Sequence, residues 1–182
     1  VRVADVDRDL AAGALQETGV ATDLAIQGAG WFAVEMPDGT LAYTRDGTLR
    51  QDLDGVLTTT SGLPLAGGLR VPPDATGFRV SEDGTVSVSF SDASEAVIGQ
   101  LELATFSNPK GLSPLGGNLY AESAGSGLAR PAEPGEVRVR QGFLERSNVD
   151  VAQELIELIL AQRAFELNSK VVQAADEAMA TA

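Results

Sequence analysis

The segment 147–182, SNVDVAQELIELILAQRAFELNSKVVQAADEAMATA, contains neither proline nor glycine, and its apolar residues repeat at helical spacing on more than one side. One series recurs every seventh residue: Val151, Leu158, Phe165, Val172 and Met179. A second, spaced alternately four and three residues apart, is Leu160, Ala164, Leu167, Val171, Ala174 and Ala178. A helix resting on a globular domain needs only one apolar stripe. Two heptad-like seams call for helical neighbours on two sides, as in a bundle or a packed polymer. The pattern predicts one long helix of coiled-coil type over 151–179, about 45 Å at 1.5 Å per residue. Its candidate contact residues are Val151, Leu155, Leu158, Leu160, Phe165, Leu167, Val171, Val172 and Met179. A helix folded back over a sheet would use one seam and leave the other uncovered.

Two polar residues lie among these seams. Arg163 is a candidate for a charge-assisted bond to a neighbouring chain, and Asn168 for fixing register between helices; a side chain facing water is the plain alternative for both. Ser147 followed three residues later by Asp150 fits a capping box, and Asp150 and Glu154 suit the positive end of the helix dipole. The far end is built less well: Asp176 and Glu177 stand where positive charge is favoured, and no glycine closes the helix.

Composition excludes several classes of function. With no cysteine, disulfides, thiolate metal sites and a cysteine nucleophile are out of reach. With no histidine, so are the commonest general base and the commonest transition-metal ligand. A net charge of −13 opposes nucleic acid and anionic membrane surfaces. No apolar run approaches the roughly 20 residues that span a bilayer; the longest, LIELILA, is interrupted by Glu157. The sequence opens on Val1 without a secretory signal, and since translation does not start at valine, further chain upstream is expected.

Ahead of the helix the chain has the signature of β structure with tight turns. Asp-Gly pairs at Asp38-Gly39, Asp46-Gly47, Asp54-Gly55 and Asp83-Gly84 stand beside short apolar or alternating runs, as in two-residue hairpins. Strands are expected over 24–26, 31–36, 41–45, 48–51, 56–58, 78–81, 85–90, 98–106 and 136–141. TVSVSF and EVRVRQ alternate strictly, the mark of half-exposed strands. The stretch 108–135 is rich in Gly, Pro and Ser and is expected to be loop, with room for a short strand at 118–121. The fold class is therefore mainly β, a hairpin-rich domain plus one long carboxy-terminal helix: 1–23 an extended linker with a helical option over 9–15, 24–146 the β domain, and 147–182 the assembly helix.

Three apparent motifs have simpler explanations. Asp5, Asp7 and Asp9 imitate the start of a calcium loop, but its sixth position is Leu10 and its twelfth Gln16, where glycine and a bidentate glutamate belong. Gly28-Ala29-Gly30 lacks the third glycine of a dinucleotide fingerprint and precedes a strand, so a bend is expected. Asp52 and Asp54 imitate a glycosidase carboxylate pair, yet they flank a turn where aspartate is favoured by turn chemistry alone. A serine or threonine nucleophile would need a lysine base, and the lysines are Lys110, in expected loop, and Lys170, in the expected helix. No catalytic residue, metal site or cofactor is expected.

ATDLAIQGAGWFAV followed by LAYTRDGTLRQDLDGVLTTTSGLPL resembles the β domain of bacterial flagellar hook–basal-body (axial) proteins. Independently, ERSNVDVAQELIELILAQRAFELNSKVVQAADEAM is similar to the carboxy-terminal helix of that family, with Gln162-Arg163-Ala164-Phe165-Glu166 and Asn168 at its centre. Hook members tend to have glutamine after the aromatic residue; Glu166-Leu167-Asn168-Ser169-Lys170 is more similar to the distal rod branch. The resemblance implies a structural subunit of the basal-body rod, exported without a cleaved signal peptide. Such a subunit would self-assemble as a helical homopolymer and meet neighbouring rod and hook proteins and the surrounding rings. It also implies an amino-terminal helix, absent from this sequence, that pairs with the terminal one. The alternatives are a proximal rod or hook member, a secreted β-rich binding module with a coiled-coil oligomerisation tail, and a carbohydrate-active enzyme using Asp52 and Asp54.

Overall fold

The computed structural model describes residues 10–180, except for the side chains at 172 and 174–180. The acidic triplet Asp5, Asp7 and Asp9 lies outside the described residues. The strands are β1 Leu15–Glu17, β2 Leu24–Gln27, β3 Gly30–Glu35, β4 Leu41–Thr44, β5 Leu49–Gln51, β6 Leu57–Thr59, β7 Ala75–Val80 and β8 Thr85–Phe90. They continue with β9 Glu95–Gln100, β10 Leu103–Thr105, β11 Ser113–Gly116, β12 Leu119–Ala121, β13 Arg130–Pro131, β14 Arg138–Gln141 and β15 Phe143–Glu145. One helix, α1, spans Val151–Ala180. The chain divides into two compact units between Ser147 and Asn148. A mainly β fold with one terminal helix is what the sequence predicts.

Strand β3 organises the β unit. It is central in a six-stranded antiparallel sheet ordered β11-β12-β4-β3-β10-β13, and both of its faces are buried. Phe32 and Val34 point into the larger core with Leu24, Ile26, Leu57, Leu69, Val86 and Val139. Trp31 and Ala33 point the other way, into a second cluster with Tyr43, Ala104, Phe106 and Leu112. The aromatic rings there meet edge to face, Trp31–Tyr120 at 5.2 Å and Tyr43–Phe106 at 4.9 Å, the geometry favoured by ring quadrupoles. A strand buried on both faces shows no polar alternation, which explains the unbroken run GWFAV. Smaller sheets β1-β15, β14-β2, β5-β6 and β7-β8-β9 complete the unit.

The turns follow one chemistry. At residues 36–40, 52–56 and 81–85 the first residue's N–H donates to the fifth residue's carbonyl, and the fourth residue's N–H donates back to the first's carbonyl. Positive φ falls on the glycine alone, at Gly39, Gly55 and Gly84. These are three-residue loops with a glycine bulge, not the two-residue hairpins expected. Residues 90–94 close in the same way with Ala93 at φ 63 in the glycine position. Asp38, Asp83 and Asp92 each accept a backbone N–H and a hydroxyl from the residue two places on.

Elsewhere the fold departs from expectation. Asp46-Gly47 forms no hairpin, because β4 and β5 belong to different sheets; Gly47 serves close approach to β2, its carbonyl accepting the Leu24 N–H at 3.0 Å. The expected strand 98–106 is broken into β9 and β10, which pair with β8 and β3 respectively. In the expected loop 108–135 the short strand allowed at 118–121 is present as β12, paired with β4; β11 and β13 were not expected, and they form because the edges of β12 and β10 recruit short pieces of the segment. Gly28-Ala29-Gly30 bends between β2 and β3 as expected, with Gly28 at φ 114. Residues 10–14 are not helical, and β1 pairs with β15 about 130 residues away.

Candidate assembly surface

The helix begins on Asp150, not on Ser147 as the capping-box spacing suggests. The Asp150 carboxylate accepts the Ala152 N–H at 2.9 Å and the Gln153 N–H at 3.4 Å, and its carbonyl accepts the Glu154 N–H at 3.0 Å. An acidic cap directly on the first turn satisfies two orphan donors and meets the helix dipole, so it prevails over a serine three residues upstream. Glu154 adds a second acid in the first turn, and no basic residue stands in the last.

Every large apolar side chain described on this helix is exposed. Val151, Leu155, Leu158, Leu160, Phe165, Leu167 and Val171 keep between 53% and 74% of their surface in contact with water. The sequence missed two members of the set, Ile156 and Ile159, at 58% and 49%. Ile156 is legible in hindsight, since it stands four residues ahead of Leu160 and extends that seam by one turn. Arg163 and Asn168 are exposed as well. The side chains of Val172 and Met179 lie outside what the structure describes. A solvated apolar patch beyond a few hundred Å² marks an interaction surface, and a helix exposing such residues around its circumference is suited to more than one neighbour.

In the β unit, the motif YTRDG positions a half-buried cation. The Arg45 guanidinium binds the Glu145 carboxylate at 2.8 Å and donates to the carbonyls of Gly28 and Gly30 at 3.0 Å and of Ile26 at 3.3 Å. Its carbon lies 5.9 Å from the centre of the Trp31 ring. The Gly28–Gly30 bend turns these carbonyls toward one point, so the Gly-x-Gly and Tyr-Thr-Arg parts of the sequence signature are two halves of one contact.

The acidic pair Asp52 and Asp54 is occupied by turn geometry: one oxygen of Asp52 accepts the N–H groups of Asp54 and Val56. A groove of about 790 Å³ beside β10 and β13 is lined by Leu103, Ala104, Pro131 and Ala132 with Asp83 and Glu102. Neither Asp52 nor Asp54 lines it. Burial raises the Tyr43 hydroxyl above its ordinary pKa, helped by the charges of Glu122 and Glu102.

Residues 25–88 match the family described as the flagellar hook protein FlgE/F/G D1 domain, and residues 140–182 match the carboxy-terminal region of flagellar basal body rod FlgEFG proteins. The flagellar basal-body rod protein FlgG of Borreliella burgdorferi is 40% identical over 187 residues, covering 100% of this chain and 71% of that protein. The FlgG of Bacillus subtilis is 42% identical over 90% of this chain and 65% of its own length. The flagellar hook protein FlgE of Salmonella typhimurium is 35% identical, but over only 60% of this chain and 28% of its own length. With both ends of the signature matched in order, and FlgG rod proteins about 40% identical over nearly the whole chain, the chain belongs to the family of flagellar basal-body rod and hook proteins and resembles its FlgG rod members throughout.

Proposed function

We propose that this chain is a structural subunit of the flagellar distal rod whose helix α1 joins it to copies of itself in a helical polymer. The observation that carries this reading is the ring of solvated apolar side chains from Val151 to Val171. Fully burying a leucine is worth about 1.5–3 kcal/mol, and each of these leucines is still more than half exposed. Each therefore has about 1 kcal/mol left to contribute on assembly. Arg163 makes a charge-assisted bond to a neighbouring subunit, Asn168 sets register among the helices, and Val172 and Met179 continue the first seam. The other partners are neighbouring rod and hook proteins and the rings around the rod. Export proceeds without a cleaved signal peptide, and the role is mechanical, with no reaction catalysed.

Sedimentation velocity over a wide concentration range tests this, comparing the wild type with the double variant Leu160→Asp, Leu167→Asp. The wild type should grow without a fixed stoichiometry. The variant should need on the order of thirtyfold higher concentration to assemble, since about 2 kcal/mol of burial is lost. A wild type that stops at a closed trimer or tetramer would favour the oligomerisation-tail alternative. A variant that assembles like the wild type would refute the role of these seams.

A further inference from the structure

The segment that leads into the helix is attached to the β unit in an unusual way. Strands β14 and β15 are nearly continuous and bend at Gly142, whose φ is 78. Before the bend, β14 pairs with β2 over four residues and buries Val139 to 1% exposure. At the bend the Gly142 carbonyl accepts the N–H groups of Thr18 and Gly19, and its own N–H donates to the Asp23 carbonyl at 2.8 Å. Beyond it, β15 pairs with β1 over three residues, with β1 exposed and β15 half-exposed. A two-stranded ribbon on its own is marginally stable. No side chain beyond Val139 in this stretch is fully buried, while the chain continues through the ribbon toward residue 151.

The long-range polar contacts of the ribbon converge on one side chain. Glu145, in β15, binds the Arg45 guanidinium through Oε2 and accepts the Gly13 N–H through Oε1 at 2.9 Å. One carboxylate therefore grips both strands of the ribbon, directly in β15 and through the residues just ahead of β1. The Arg45 side chain is 16% exposed and that of Glu145 13%, so water screens the pair far less than a surface ion pair. On its other side the guanidinium is seated on the carbonyls of Ile26, Gly28 and Gly30. The Arg146 N–H donates to the Ala14 carbonyl at 2.9 Å, and a side chain at Gly13 would collide with the Arg146 carbonyl, so the two segments stay in contact past the last strand pair.

We propose that Arg45 is the positioning residue of the assembly arm: through Glu145 it locks the ribbon that carries the arm onto the β unit, and mechanical load passing along the arm enters the β unit through this guanidinium. The load-bearing consequence rests on the rod reading; the lock itself does not. Lysine cannot replace the arginine, because the three donors of one ammonium cannot serve a carboxylate and three carbonyls at once.

The test is amide hydrogen exchange on the full chain for the wild type, Arg45→Lys and Glu145→Gln. Glu145→Gln leaves the arginine on its carbonyls, so it remains informative should the arginine variant fail to fold. In both variants the amides of 15–17 and 143–146 should lose protection by about tenfold, while those of β2, β3 and β8 keep theirs. Unchanged ribbon protection would overturn the lock. So would loss in the β core in step with the ribbon, which would make Arg45 a general scaffold residue. The polymer's bending stiffness, measured by electron microscopy, should then fall in Glu145→Gln; equal stiffness would overturn the load path. A chain that forms no polymer at all would refute the rod reading while leaving the exchange result to decide the lock.

Discussion

Gly39 and Gly47 occupy the same local sequence, Asp-Gly-Thr, yet the structure predicts very different consequences for placing alanine at each. At Gly39 the space around a new Cβ is open, and the obstacle is the backbone alone, at φ +81. A left-handed alanine costs about 1–2 kcal/mol. At Gly47 a Cβ would overlap the Leu24 carbonyl oxygen and sit 2.7 Å from its carbonyl carbon and 3.2 Å from Cε2 of Phe32. Leu24 and Phe32 are among the most deeply buried side chains of the larger core. Relief requires β2 and the 46–48 segment to part, which breaks the Leu24 N–H to Gly47 carbonyl bond. Leaving a buried donor unsatisfied costs about 1–3 kcal/mol, and forcing the packed core apart costs about 1–3 kcal/mol more. The total of about 2–6 kcal/mol is a large share of the 5–15 kcal/mol that holds a domain together. Urea unfolding followed by the fluorescence of Trp31, the single tryptophan and 2% exposed, measures both variants. With an m value of about 2 kcal/mol per molar, Gly47→Ala should lower the midpoint by about 1–3 M and Gly39→Ala by at most about 1 M. Equal shifts, or a larger one at Gly39, would refute the close-approach argument.

The turn at 90–94 predicts the opposite sign. Ala93 holds φ 63 where the other loops have glycine, so Ala93→Gly relieves left-handed strain of about 1–2 kcal/mol and loses about 0.5–1 kcal/mol to unfolded-chain entropy. The urea midpoint should rise by a few tenths molar, and a fall would refute the strain. The same loops predict a pH dependence. The Thr40 hydroxyl and N–H hold Asp38 below the ordinary aspartate pKa, the Thr85 N–H and hydroxyl do so for Asp83, and the Ser94 hydroxyl and N–H for Asp92. A carboxylate depressed in the folded state stabilises fully above its unfolded pKa, about 3.9, and loses that contribution as pH falls through the depressed value. The midpoint difference between the wild type and Asp83→Ala should therefore be constant from about pH 6 down to 5 and shrink below about pH 3.9. A difference independent of pH would show that the charge of Asp83 contributes nothing.

Much of this protein is written locally. The break between β unit and helix, the strand cores at β3, β4 and β8, and the turns at Gly39, Gly55 and Gly84 all follow from patterns spanning seven residues or fewer. Turn chemistry and hydropathy period act over that range. The seam pattern of the helix is read over the same range, since spacing is a property of one continuous element. Choosing Asp150 over Ser147 as the cap needed the observed start of the helix, because both spacings satisfy a capping pattern.

Tertiary structure decided what depends on distant partners. Asp46-Gly47 looks like three neighbouring turns but became a contact point, because β2 passes beneath it. Strands β11 and β13 lie in glycine- and proline-rich sequence and exist only because the edges of β12 and β10 offer free N–H and carbonyl groups. The split between β9 and β10 depends on two different partners, β8 and β3. Hardest to foresee was the lock: Gly13, the Gly28–Gly30 bend, Arg45 and Glu145 lie up to 132 positions apart in sequence. The sequence by itself determined the segments with a strong local signal, such as β3, β8 and the helix, since those preferences are settled within a turn or two of chain. Only the folded chain brought these residues to one guanidinium, because a hydrogen bond between remote residues leaves no period or propensity in the sequence to read.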